Sequence, residues 1–155
     1  MTRKSGFTLI ELLVTVVIIG ILTIGSVSTY DRFNNRQTLR QAALTLKNNL
    51  RLAQSNAMSA SKPSAGCTQL AGYQVSFAQS SYAIQATCSP EGLAGLSTTV
   101  NLPVGASFVS VPATLIFGVL TSGISASETM TLTKASFNYA ISVSTSGDIN
   151  DLGFQ

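Results

Sequence analysis

The 155-residue sequence predicts an α+β fold: one long N-terminal helix packed on a C-terminal antiparallel β head. Three observations predict it. All four prolines and nine of the twelve glycines fall between Pro63 and Gln155, so nothing before Pro63 forces the chain to turn. Apolar residues first run almost unbroken from Phe7 to Ser28, then recur at helical spacing to Ala60. Beyond Pro63 the period falls to two, the signature of half-buried strands.

The first half of the helix is membrane-like. Phe7–Ser28 has 22 residues with Glu11 as the only charge. As a helix it measures about 33 Å, enough to cross a hydrocarbon core. A charge at the bilayer centre costs about 2.5–3.5 kcal/mol, less near the interface, so a carboxylate here calls for a partner. Gly20 and Gly25 each lower helix propensity by about 1 kcal/mol relative to Ala and would let the segment bend.

The second half is amphipathic. Leu39, Ala43, Leu46, Leu50, Ala53, Ala57 and Ala60 form one stripe that should face the head. Arg32, Arg36 and Arg40, with Lys47 and Arg51 roughly in line, read first as a solvated face and second as an anion-facing or subunit-facing surface. Pro63 disfavours the α conformation at Lys62, so the last helical candidates lie near Ser59–Ala60.

Alternation then marks strands at Tyr73–Phe77, Tyr82–Cys88 and Phe137–Val143, with shorter ones at Thr99–Leu102, Ser107–Val111, Thr114–Leu120 and Thr129–Thr133. Leu115-Ile116-Phe117 is apolar at every position, which predicts a strand covered on both sides. Turn signals stand at Ser89-Pro90-Glu91-Gly92, Pro103-Val104-Gly105, Ser122-Gly123 and Ser146-Gly147-Asp148, and Thr121–Thr129 reads as a loop.

Composition suits a membrane-anchored exported protein: 45% hydrophobic and only 10% charged residues. The sequence offers no basis for an enzyme. It has no His, and the head carries only Glu91, Glu128, Asp148 and Asp151 as acids. No phosphate loop, nucleophile elbow or zinc spacing occurs, so no cofactor or metal is expected. Asp148 and Asp151 alone are too few ligands for a metal and read as a solvated turn.

An ordinary secretory signal places its small-residue cleavage site after the apolar core. Here the small residue, Gly6, comes before it. Cutting between Gly6 and Phe7 leaves the apolar helix on the product and creates a new ammonium at Phe7. That ammonium could neutralise Glu11 of a neighbouring copy, since a paired charge in apolar surroundings is far cheaper than an unpaired one. Removing Arg3 and Lys4 with the leader leaves seven basic against six acidic side chains, a net charge of +1 in place of +3. So small a charge argues weakly for a nucleic-acid partner.

Lys4-Ser5-Gly6-Phe7-Thr8-Leu9-Ile10-Glu11-Leu12-Leu13-Val14 resembles the class III signal of type IV pilins and pseudopilins. The resemblance implies that prepilin peptidase cuts between Gly6 and Phe7 and methylates the Phe7 amine, and that Glu11 supports assembly. It also implies a cytoplasmic leader, an inner-membrane anchor, an exported head and later residence in a periplasmic or surface filament. The expected partners are prepilin peptidase, other pilin or pseudopilin subunits, the inner-membrane assembly platform, and membrane lipid before assembly. The expected segments are a leader 1–6, a transmembrane and assembly helix 7–28, an amphipathic head helix 29–62 and a β-rich head 63–155. Many pilins carry proline at the position of Ser28, and this chain does not.

Leu50–Met58, Gly72–Phe77, Ile116-Phe117 with Gly123, and Ile141–Ser144 ending at Gly147 are similar to the GspH/FimT group of pseudopilins and minor pilins. The group often has Ala-Arg where this chain has Ala53-Gln54. Some of its DNA-binding members carry arginines just after the final glycine, where this chain has Asp148. The expected function is a filament subunit of a type IV pilus or a type II secretion-like system. The alternative is a DNA-binding minor pilin of a natural-transformation system. An exported head also lies in an oxidising compartment, which favours a Cys67–Cys88 disulfide over two separate thiols.

Overall fold

The computed structural model describes residues 6–155, excepting the side chains of 24–29 within the helix. Arg3 and Lys4 of the expected leader, and the side chains at Gly25 and Ser28, therefore lie outside the described residues. The chain divides into two compact units, one ending at Asn35 and the other spanning Arg36–Gln155. Among the described residues there is one α-helix, α1 (Leu9–Met58), followed by eight strands. These are β1 (Gln69–Ala78), β2 (Ser81–Ser89), β3 (Gly92–Asn101), β4 (Ala106–Phe108), β5 (Leu115–Gly118), β6 (Glu128–Lys134), β7 (Phe137–Val143) and β8 (Ile149–Phe154).

Within the second unit the strands form two four-stranded antiparallel sheets, ordered β3-β2-β1-β5 and β4-β6-β7-β8. Each is built around a hairpin, β1–β2 closing at Ala78 with Ser81 and β6–β7 at Lys134 with Phe137. The helical stripe binds them into one core. Leu39, Ala43, Leu46, Leu50, Ala53 and Ala57 are all at 0% exposure. They share a cluster with Val75 and Phe117 of one sheet and Met130, Leu132, Ile141 and Val143 of the other. Burying a Leu side chain contributes about 1.5–3 kcal/mol, so Leu39, Leu46 and Leu50 add substantially to the core that the two sheets share.

The helix ends earlier than the stripe suggested. Ala60 has φ +49° and stands outside α1. The Ser61 N–H donates to the Asn56 carbonyl at 2.9 Å and the Ala60 N–H to the Ala57 carbonyl at 3.1 Å. That pair of bonds is a Schellman cap, with alanine in the left-handed position that glycine usually fills. Helix termination is thus a local hydrogen-bonding event before Pro63 acts.

Four strand expectations need correction. Ile116 is 48% exposed while Leu115 and Phe117 are buried, so β5 is covered on one side only. β3 begins at Gly92, not Thr99, because an exposed edge strand need not alternate in polarity. β4 stops at Phe108, short of Val111. β8 carries too little apolar pattern to be read in advance, yet it completes the second sheet against β7. Cys67 and Cys88 form a disulfide with Cα atoms 5.4 Å apart, packed against Ala86 and Ala94. It ties the segment after α1 to β2.

Candidate processing and assembly site

Gly6, Phe7 and Thr8 are non-helical, and α1 starts at Leu9. Phe7 is exposed, and among the described residues a Cβ built on Gly6 would meet nothing within 4 Å. The Gly6–Phe7 peptide bond is therefore open to approach. Thr8 starts the helix: its Oγ1 accepts the Glu11 N–H at 3.3 Å, and its carbonyl accepts the Leu12 N–H at 3.2 Å. This is the Ser/Thr-x-x-Glu pattern of a capping box, in which the first residue satisfies an orphan amide of the first turn. Such a cap contributes about 1 kcal/mol. The signal for this cap, Thr8-Leu9-Ile10-Glu11, is present in the sequence.

Glu11 is exposed, one turn beyond the Gly6–Phe7 bond. Around it Leu9, Ile10, Leu12, Leu13, Val14, Val16 and Val17 are exposed as well. The two described threonines of this segment do not break its apolar character. Thr15 Oγ1 donates to the Leu12 carbonyl at 2.8 Å and Thr23 Oγ1 to the Ile19 carbonyl at 2.7 Å, so both hydroxyls are satisfied within the helix. Among the described residues no helix is long and apolar enough to cross a membrane. The expected span 7–28 runs into positions 24–29, whose side chains lie outside the described residues.

The arginine stripe is exposed at Arg32, Arg36, Arg40 and Arg51, and one of its members also makes a ring contact. The Arg36 guanidinium lies over the Phe154 ring, 4.5 Å from its centroid. Phe154 in turn meets Tyr139 edge-on at 4.8 Å. Burial first, and then a hydrogen bond with Asp151, raises the Tyr139 hydroxyl above its ordinary pKa. Arg36 thus anchors the start of the head helix to β8, a cation–π contact that periodicity could not reveal because β8 itself was not foreseen.

Asp148 and Asp151 serve separate local purposes. Asp148 Oδ2 accepts from Ser146 Oγ at 2.7 Å, and its N–H donates to Ser144 Oγ at 3.0 Å, closing the β7–β8 turn. Asp151 Oδ1 accepts the Gly153 N–H at 3.0 Å. Among the described residues no three His, Cys, Asp or Glu side chains group as metal ligands. Elsewhere on the head, Glu91 accepts from the Thr68 hydroxyl and amide, and the hydroxyl bond holds its carboxyl below the usual range.

Gln54 has a role the sequence did not announce. Its Nε2 donates to the Ser122 carbonyl at 2.7 Å and to the Gly147 carbonyl at 2.8 Å, pinning two loops onto α1. Those loops touch so closely that a Cβ on Gly147 would lie 1.9 Å from the Ser122 carbonyl oxygen, and one on Gly123 would lie 2.2 Å from that of Thr145. Gly147 also has φ +93°. Glycine is needed at both positions for backbone contact.

Residues 1–27 match the family model described as the prokaryotic N-terminal methylation motif. No curated protein and no solved structure matches the chain. The N-terminal match supports a type IV pilin-like processed subunit.

Proposed function

We propose that the chain is a structural filament subunit, a minor pilin or pseudopilin of the GspH/FimT kind, in a type IV pilus or type II secretion-like system. The observation that carries the filament-subunit reading is the match over residues 1–27, joined to an exposed Gly6–Phe7 bond directly ahead of a capped apolar helix; the GspH/FimT kind rests on the sequence resemblance of Leu50–Met58 and Gly72–Phe77 alone. In this reading prepilin peptidase cuts after Gly6 and the Phe7 amine is methylated. The mature helix waits in the membrane with the head exported. It then leaves the bilayer sideways into a bundle of like helices, where Glu11 meets the Phe7 ammonium of another copy. Burial of Leu9–Ile24 among neighbouring helices holds the bundle together.

The geometry favours this over a DNA-binding role. Arg36 is engaged on Phe154, and the turn after β7 presents an acid, Asp148, where phosphate would be repelled.

Glu11→Ala tests the pairing step. Leader removal should proceed normally while the protein disappears from sheared filaments. Normal incorporation of Glu11→Ala would refute the role assigned to the carboxylate. Because Glu11 also sits in the capping turn, Thr8→Ala serves as the control: it weakens the cap and should leave incorporation largely intact.

A further inference from the structure

Between Phe7 and Tyr73 the sequence has two aromatic residues, Tyr30 and Phe33. They stand three apart on α1 and therefore share a face. Both are bare, at 68% and 62% exposure. No charge lies between Glu11 and Asp31, and Asp31 and Arg32 sit between the two rings in sequence. Aromatic residues thus bracket the apolar segment, Phe7 at one end and Tyr30 with Phe33 at the other. The 21 helical steps from Leu9 to Tyr30 measure about 32 Å, slightly more than a hydrocarbon core of about 30 Å and less than the full bilayer of about 40–45 Å, and Phe7 precedes them by two residues.

We propose that Tyr30 and Phe33 form an interfacial collar that seats in the phospholipid headgroup layer on the exported side and fixes how deeply the unassembled subunit lies in the bilayer. The physical basis is the shape of the side chains. A Tyr ring is apolar with a polar tip, and an aromatic ring is most stable where apolar and wet surroundings meet. Arg32 adds a guanidinium at the same level, suited to lipid phosphate. The length match selects the lipid interface as occupant over a protein groove: the collar falls where a helix entering at Leu9 must leave the hydrocarbon. The inference rests on the membrane-resident stage of the proposed function, and one experiment separates the two.

The chain has no Trp, so each substitution creates a single reporter. Full-length Tyr30→Trp, Phe33→Trp and Leu13→Trp are reconstituted in phosphatidylcholine vesicles with nitroxide quenchers in the headgroup or deep in the acyl chain. Val104→Trp on the head supplies the water reference. Positions 30 and 33 should be quenched about twofold more by the headgroup label than by the deep one, and position 13 the reverse. If positions 30 and 33 behave like position 104 or like position 13 while position 13 is deep, the collar is wrong and membrane residence stands. If position 13 is itself unquenched, membrane residence and the collar fall together.

Discussion

Two stretches of the same helix meet opposite fates. From Leu9 to Leu22 nearly every residue is apolar and exposed on the isolated chain. From Leu39 to Ala57 the apolar residues keep to one stripe and vanish into the head. The difference lies in pattern and not in average greasiness. A stripe can be satisfied by one partner, and the chain carries that partner in its own sheets. An apolar surface that runs all the way round can be satisfied only by being surrounded, by lipid or by other helices. The second stretch therefore encodes a fold, and the first encodes an association.

The sharpest way to break this contrast is to truncate one leucine in each stretch. Leu50→Ala should destabilise the head by about 2–5 kcal/mol, since it removes a fully buried side chain and leaves a cavity. Leu13→Ala should leave the denaturant midpoint of the head unchanged. Equal effects in chemical unfolding would show that the two stretches are not energetically separate. Next in size, Cys67→Ser with Cys88→Ser should cost about 3 kcal/mol in the chain-entropy account, read as a lower melting temperature of the head under oxidising conditions. Gln54→Ala should cost about 1–3 kcal/mol because two carbonyls lose their donor, and amide exchange should rise around Ser122 and Gly147. Ala60→Gly is the smallest and the only favourable change. It relieves a left-handed alanine and should stabilise by about 1 kcal/mol, visible as a raised midpoint.

The contrast also explains what the sequence made legible. The six buried stripe residues, the four strands of the two central hairpins and the cysteine pairing followed from periodicity and compartment, because each element buries a face whose composition is fixed by that burial. β8 was not legible: Asn150, Asp151 and Leu152 all point to solvent, so no alternation survives. Ile116 misled because an apolar residue on an edge strand looks the same in sequence whether covered or bare. Gln54 was invisible for a different reason. Its partners are backbone carbonyls contributed by loops far along the chain, and backbone groups leave no mark on residue type. Of the candidate site, the Gly6–Phe7 bond and Glu11 were legible as a motif. The Thr8 cap is not among the sequence expectations, although the motif shares its four letters with a capping box.

That cap has one further consequence. A helix carries partial positive charge at its first turn, which disfavours a cation placed there. Thr8 pins this first turn one residue after Phe7. In the proposed pathway, cutting at Gly6 sets a fresh cation against the positive pole of its own helix, a local electrostatic frustration built in by proteolysis. Leader removal would then do more than free an end: it would prime each subunit to seek a negative charge on another.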